Sequence, residues 1–151
     1  MAIPRTVSLG KGLWHGKSKL NFSEDPNVES VTESDSTLRI ATDRLDTFAT
    51  VTYTWEFEGE PQEGTLILAG SESKDAATAG WVDSWHQNGS VMSLAGTGMQ
   101  GEQLTITGSY ATDWGWRIEL CTSDETLQLR MVNVSPDGSE TWAVHATYRR
   151  A

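Results

Sequence analysis

Residues 46–58, D-T-F-A-T-V-T-Y-T-W-E-F-E, decide the fold. Ala49, Val51, Tyr53, Trp55 and Phe57 fall on one face, and Thr50, Thr52, Thr54 and Glu56 on the other. Period-two alternation of this kind, rich in β-branched and aromatic residues, is the pattern of a half-buried strand. The pattern recurs on both sides. Upstream, residues 11–23 set Trp14, Gly16, Ser18, Leu20 and Phe22 against His15, Lys17, Lys19 and Asn21. The acidic, polar residues 24–36 read as a connecting loop and 37–41 as a short strand. Downstream, E-G-E-P-Q-E-G (58–64) turns the chain into a strand at 65–70. Further strands are predicted at 79–87, 90–97, 102–110, 114–122, 125–135 and 140–149.

Asn88-Gly89 and Asp137-Gly138 read as hairpin turns, because both pairs accept positive φ. Residues 71–78 are the one stretch with the character of a short helical turn. The sum is nine or ten strands with short links and no βαβ unit. This predicts an all-β fold, an antiparallel up-and-down barrel whose last strand closes on its first.

The chain has 151 residues, the length of a single domain spanning 1–151. Formal net charge is −10, which argues against nucleic acid or an anionic membrane as partner. No stretch has the roughly 20 apolar residues of a membrane helix, so membrane insertion is not expected. The first ten residues carry no signal-peptide pattern, and a cytoplasmic protein is the expectation. The lone Cys121 permits no internal disulfide and reads as a packing residue.

Some segments resemble known families. G-L-W-H-G, Gly12–Gly16, matches the G-x-W pattern that opens lipocalin-like barrels. That resemblance implies that Trp14 plugs one end of the barrel and packs against Arg149 or Arg150 by cation–π stacking. W-V-D-S-W (81–85), G-S-Y (108–110), W-R-I (116–118) and A-T-Y-R-R (146–150) together resemble a bacterial domain family of unknown function, over residues 8–150. Its expected fold is a calycin-type, lipocalin-like barrel, and it brings no activity with it. The chain is more distantly similar to nitrobindin-like haem proteins, which open with G-x-W-x-G and bind haem through a histidine near the end of the last strand. That similarity implies His145 as the haem ligand. Regular alternation places His145 opposite Trp142, Val144, Ala146 and Tyr148, so only a bulge would turn it inward.

Seven tryptophans in 151 residues is a high count, and it points to an aromatic-lined interior. The expected lumen lining is Tyr53, Trp55, Trp81, Trp85, Tyr110, Trp116, Met131, Trp142 and Tyr148, with Trp114 on the same apolar stripe. Asp83 shares a face with Trp81 and Trp85. A carboxylate turned inward must be paired, protonated or hydrated. It is either a polar handle for a ligand's amine or hydroxyl, or a structural partner of a Tyr or Trp tip. Arg117 or Arg130 would serve as its partner only if the alternation breaks.

No catalytic or metal signature stands out. His15, His86 and His145 form no H-E-x-x-H, and there is no G-x-S-x-G elbow. Asp83, Ser84 and His86 are near in sequence, but neighbours along a strand alternate faces. Asp83 and Glu119 are conceivable as paired carboxylates, with nothing to fix their separation. The expected function is therefore the binding of a small hydrophobic molecule in the lumen, without a cofactor and without catalysis. One alternative is a haem-binding protein or enzyme using His145. The other is a solid structural barrel that forms a homodimer through the outer face of the 79–97 hairpin. An interior wholly filled by side chains would count against the first reading.

Overall fold

The computed structural model describes residues 2–72, 76–87, 89–99 and 103–151, the side chains of 97–99 excepted. The described residues form ten strands and one short helix. A single turn of helix, α1 (Arg5–Leu9), precedes β1 (Gly12–Asn21), β2 (Val31–Thr42), β3 (Phe48–Phe57) and β4 (Glu60–Gly70). β5 (Ala76–Asp83), β6 (Met92–Met99) and β7 (Gln103–Ala111) follow, then β8 (Trp114–Thr122), β9 (Thr126–Val134) and β10 (Glu140–Arg150). Each strand pairs antiparallel with the next, and β10 closes on β1 from Trp14↔Arg150 to Leu20↔Val144. This is the closed up-and-down barrel that the alternation predicts.

Some boundaries differ from the sequence reading. β2 starts at Val31, so half of the expected 24–36 loop is strand; Asn21–Val31 pairing holds its polar residues in the ladder. β5 stops at Asp83 rather than running to 87, because the Asp83 carboxylate binds the amides of the turn that follows. Of the expected helical turn at 71–78, residues 73–75 lie outside the described residues and Ala76–Thr78 are strand. Asn88 also lies outside them; Gly89, Gly138 and Gly59 have positive φ at their turns.

The inward positions of the strands form one contiguous core. Leu38, Val51, Leu68, Ile106, Leu127, Leu129, Met131 and Ala146 are at zero exposure. The barrel's interior is thus packed with side chains over much of its length. Glycine makes room where strands crowd: a Cβ at Gly16 would lie 2.8 Å from Tyr148 Cα, its cross-strand partner.

One end is shut. α1 lies under it, and the backbone N–H of Thr122 donates to Thr6 Oγ1 at 2.9 Å. Trp14 is fully buried there and donates through Nε1 to Gly10 O at 2.8 Å. Arg150, not Arg149, covers its ring at 4.3 Å and donates to Leu9 O and Lys11 O. Guanidinium stacking and these carbonyl bonds hold the plug together. No helix among the described residues is long and apolar enough to cross a membrane.

Candidate functional site

The opposite end carries the loops 22–30, 58–59, 84–91, 112–113 and 135–139, and it is here that the aromatic side chains collect. Ring follows ring across it. Phe22 meets Phe57 at 5.3 Å, Phe57 meets Trp85 at 4.3 Å, and Trp85 meets Trp55 at 5.7 Å. Trp55 meets His86 at 5.9 Å and His86 meets Trp116 at 5.3 Å; Trp116 stacks on Trp81 at 5.2 Å, only 10° from parallel. Edge-to-face and offset contacts at such spacings are the favoured arrangements of aromatic pairs.

Asp83 organises this layer. Tyr53, Gly64 and Asp83 are successive cross-strand partners on β3, β4 and β5, all on the inward face. Gly64 has no side chain in the way. A Cβ there would overlap the Tyr53 hydroxyl and lie 2.6 Å from Asp83 Cβ. The Tyr53 hydroxyl therefore reaches over β4 and donates to Asp83 Oδ2 at 3.0 Å, while accepting from Trp81 Nε1 at 2.8 Å. The second partner of Oδ2 is His86 Nδ1 at 2.9 Å. Oδ1 takes the backbone amides of Trp85, His86 and Gln87.

Burial by itself raises the Asp83 pKa, but the bond to and charge of His86 and the Gln87 and His86 amides outweigh it, and the carboxyl is held below its ordinary value. Burial, and then the Asp83 charge, push Tyr53 well above its own, so Tyr53 remains a neutral donor. An ionised carboxylate only accepts. Nδ1 of His86 must therefore carry a proton and donate to Asp83.

Five donors occupy the Asp83 oxygens, about as many as a carboxylate has lone-pair directions. Asp83 is thus in contact with a Tyr tip and with His86. Arg117 and Arg130 are elsewhere, on the outer wall, paired with Glu119 and Glu140. Glu119 also faces outward, between the buried Ile118 and Leu120, so it forms no pair with Asp83 across the wall.

The expected lining residues divide into groups. Tyr53, Trp55, Trp81 and Trp116 lie inward near the open end, at 1–7% exposure. Met131 and Tyr148 are inward too, yet deeper and wholly packed; Tyr148 bonds Ser36 at 2.8 Å. Burial raises the Tyr148 pKa to about 12. Trp85 lies past the end of β5, 37% exposed, on Phe57 and Trp55. Tyr110, near the end of β7, is a rim residue at 46% exposure and not a lumen wall as expected; Trp114, which opens β8, lies on the same rim at 37% exposure.

Trp142 is corrected outright. A bulge between Trp142 and Val144 sets Trp142 beside Val132, which pairs with the outward Arg117. Its Nε1 donates to Glu29 at 3.0 Å. Beyond the bulge Val144, Ala146 and Tyr148 still point inward, and His145 is exposed. His145 faces a shallow hollow of about 170 Å³ with Lys17, Lys19, Glu33 and Thr147. Small-molecule pockets run to roughly 300–1,000 Å³ and are mostly apolar. These residues do not fit a haem. Burial, then the charges of Arg130 and Lys19, lower the His145 pKa and keep the ring neutral.

His86 is the residue that sequence reading passed over. Its nearness to Asp83 was visible, but strand alternation separates the two only if the strand continues, and here it ends.

A cavity of about 770 Å³ opens at this end, between Ser23–Pro26 and the 135–139 loop. Tyr110, Trp114 and Asn133 line it; Tyr110 donates to Asn133 Oδ1 at 2.6 Å. Asn133 is the direct cross-strand partner of Trp116, which links the cavity to the ring layer. A second groove, about 690 Å³, runs over the outer wall of β1–β4 and is walled largely by outward polar side chains such as His15, Asp35, Glu56 and Glu63.

No curated protein sequence matches this chain. The crystal structure of Rv2717c from M. tuberculosis is similar, with a TM-score of 0.72 at 16% identity, covering 96% of this chain and 94% of that one. At that identity the likeness shows a shared fold alone. Residues 8–150 match the family described as protein of unknown function (DUF1579), and the chain belongs to that family.

Proposed function

We propose that this protein binds one small, mostly apolar molecule at the open end of its barrel. The ligand lies against the layer of Trp55, Trp81, Trp85, Trp116 and His86, and enters by way of Tyr110 and Trp114. The observation that carries the reading is the cavity of about 770 Å³ at the end where the rings collect. It has the size of small-molecule sites, and Tyr110 and Trp114 give it an aromatic wall among mostly polar neighbours. The packed core below supports a site at the mouth rather than deep in the lumen.

The polar handle also moves. Asp83 has its lone pairs filled, so the group it leaves for a ligand is His86, which it orients.

Isothermal titration with 2-methylnaphthalene tests the reading. One saturable site per chain is expected, and Trp85→Ala and Trp114→Ala should each weaken it about three- to tenfold, the worth of an aromatic contact. Absence of saturable binding, or binding indifferent to both substitutions, would overturn it.

A further inference from the structure

The loops at the mouth of the barrel carry fixed charge of one sign. Between them they hold Glu24, Asp25, Glu29, Glu58, Asp113 and Asp137, and no lysine or arginine. The shut end differs, with Arg5, Lys11, Arg44 and Arg150 standing among its acids. The cavity of about 770 Å³ lies within the acidic mouth. Two of these carboxylates, Glu24 and Asp137, border it together with the rings of Tyr110 and Trp114, and no basic residue is among the described residues that line it. Glu24 makes no hydrogen bond or ion pair with another described residue. The hydroxyls of Ser135 and then Ser139 hold the Asp137 carboxyl down at about 2, so it stays ionised at neutral pH. Tyr110 and Trp114 stand 6.3 Å apart with their planes inclined by 41°. The Tyr110 hydroxyl is spent on Asn133, which leaves its ring to meet a ligand. A ring face attracts a cation through its quadrupole, and a carboxylate attracts it through its charge.

We infer that this cavity holds an organic ammonium ion, and that the protein's ligands are apolar bodies bearing one such positive group; the inference rests on the binding site proposed above. The positive group lies between the Tyr110 and Trp114 rings and the Glu24 and Asp137 carboxylates. The apolar body continues inward toward the ring layer. An anion is repelled by every fixed charge of these loops. A neutral hydrocarbon gains from the rings and nothing from the carboxylates. A bare metal ion fits worse still: among the described residues no group of three or more His, Cys, Asp or Glu is placed to hold one, and hard cations take oxygen ligands rather than rings. The same field draws a cation toward the mouth before contact, as a cleft lined by one sign of charge does.

The test is isothermal titration of the full chain with (2-naphthylmethyl)trimethylammonium, 2-neopentylnaphthalene and 2-naphthylacetate. The first two have the same shape, with a quaternary nitrogen in one and a quaternary carbon in the other; the third carries a negative charge. Wild-type protein should take up the cation at one saturable site, roughly tenfold more tightly than the hydrocarbon, the sum of a cation–π contact and a surface ion pair. The anion should bind most weakly. The gap between cation and hydrocarbon should shrink in about 1 M salt, where charges are screened beyond roughly 3 Å. Glu24→Gln should narrow it about threefold. Trp114→Leu should weaken the cation more than the hydrocarbon, because leucine keeps an apolar contact and loses the ring's quadrupole; it serves as the second variant if Glu24→Gln does not fold. Equal affinity for cation and hydrocarbon would overturn the ammonium inference and leave the binding site standing. So would a gap that both substitutions leave unchanged, or uptake of the cation without saturation, which is counter-ion binding by an acidic chain. No binding by any of the three would overturn the site itself and the inference with it.

Discussion

Tyr53 donates its hydroxyl proton to Asp83 Oδ2 over 3.0 Å, although the two residues are on strands separated by a third. The bond exists because Gly64 is the residue between them. Through it the wall of the barrel governs how the 84–87 turn is held, and through that turn where His86 sits.

Gly64→Ala should break this relationship. The added methyl collides with Tyr53 and Asp83, so the loss is expected at about 1–3 kcal/mol, the usual cost of overpacking. Urea denaturation followed by tryptophan fluorescence measures it. A variant as stable as wild type would mean that Tyr53 does not cross β4.

Tyr53→Phe should cost about 1–3 kcal/mol as well, since it orphans the buried Trp81 Nε1 and removes one donor from Asp83. A double cycle with Gly64→Ala should be strongly non-additive, because both remove the same bond. Additive losses would show that the two residues act separately.

Acid stability follows from the carboxylates. Asp83 is held below its ordinary pKa, and Asp43 and Asp137 are lowered to about 2. For Asp43 the leading cause is the Phe48 amide; for Asp137 it is the Ser135 hydroxyl. A group whose folded pKa is depressed adds stability above its unfolded value, about 3.9, and loses it as pH falls through the folded value. The thermal midpoint should be flat with respect to these groups above pH 5 and fall between about pH 4 and pH 2. Asp83→Asn should make that fall shallower; an unchanged acid limb would contradict the assignment to Asp83.

His145→Ala should leave binding of naphthalene-sized probes unchanged and give no change on haemin addition, because the ring is on the outer face. A Soret band present in wild type and lost in this variant would refute the placement.

Arg150→Lys should loosen the shut end. Lysine keeps the charge but not the fork that reaches Leu9 O and Lys11 O while covering Trp14. A loss of about 1–2 kcal/mol is expected, combining stacking and two hydrogen bonds, and calorimetric unfolding reads it directly.

The sequence alone determined the barrel. Alternation depends only on which residues are next to each other, so residues 46–58 show an apolar face as a strand or in isolation, and ten such stretches with short links leave little choice of topology. The packing of Trp14 against a C-terminal arginine was legible too, from the G-x-W resemblance. What alternation cannot show is where it stops. The bulge at Trp142 and Val144 turns one tryptophan out of the barrel, and the end of β5 at Asp83 turns His86 in. Both depend on side-chain contacts that alternation does not carry: Glu29 for Trp142 and, for Asp83, the Trp85 and Gln87 amides together with Tyr53 reaching over Gly64. The wall was therefore readable from local order, whereas the site depends on contacts that exist only once the wall has closed.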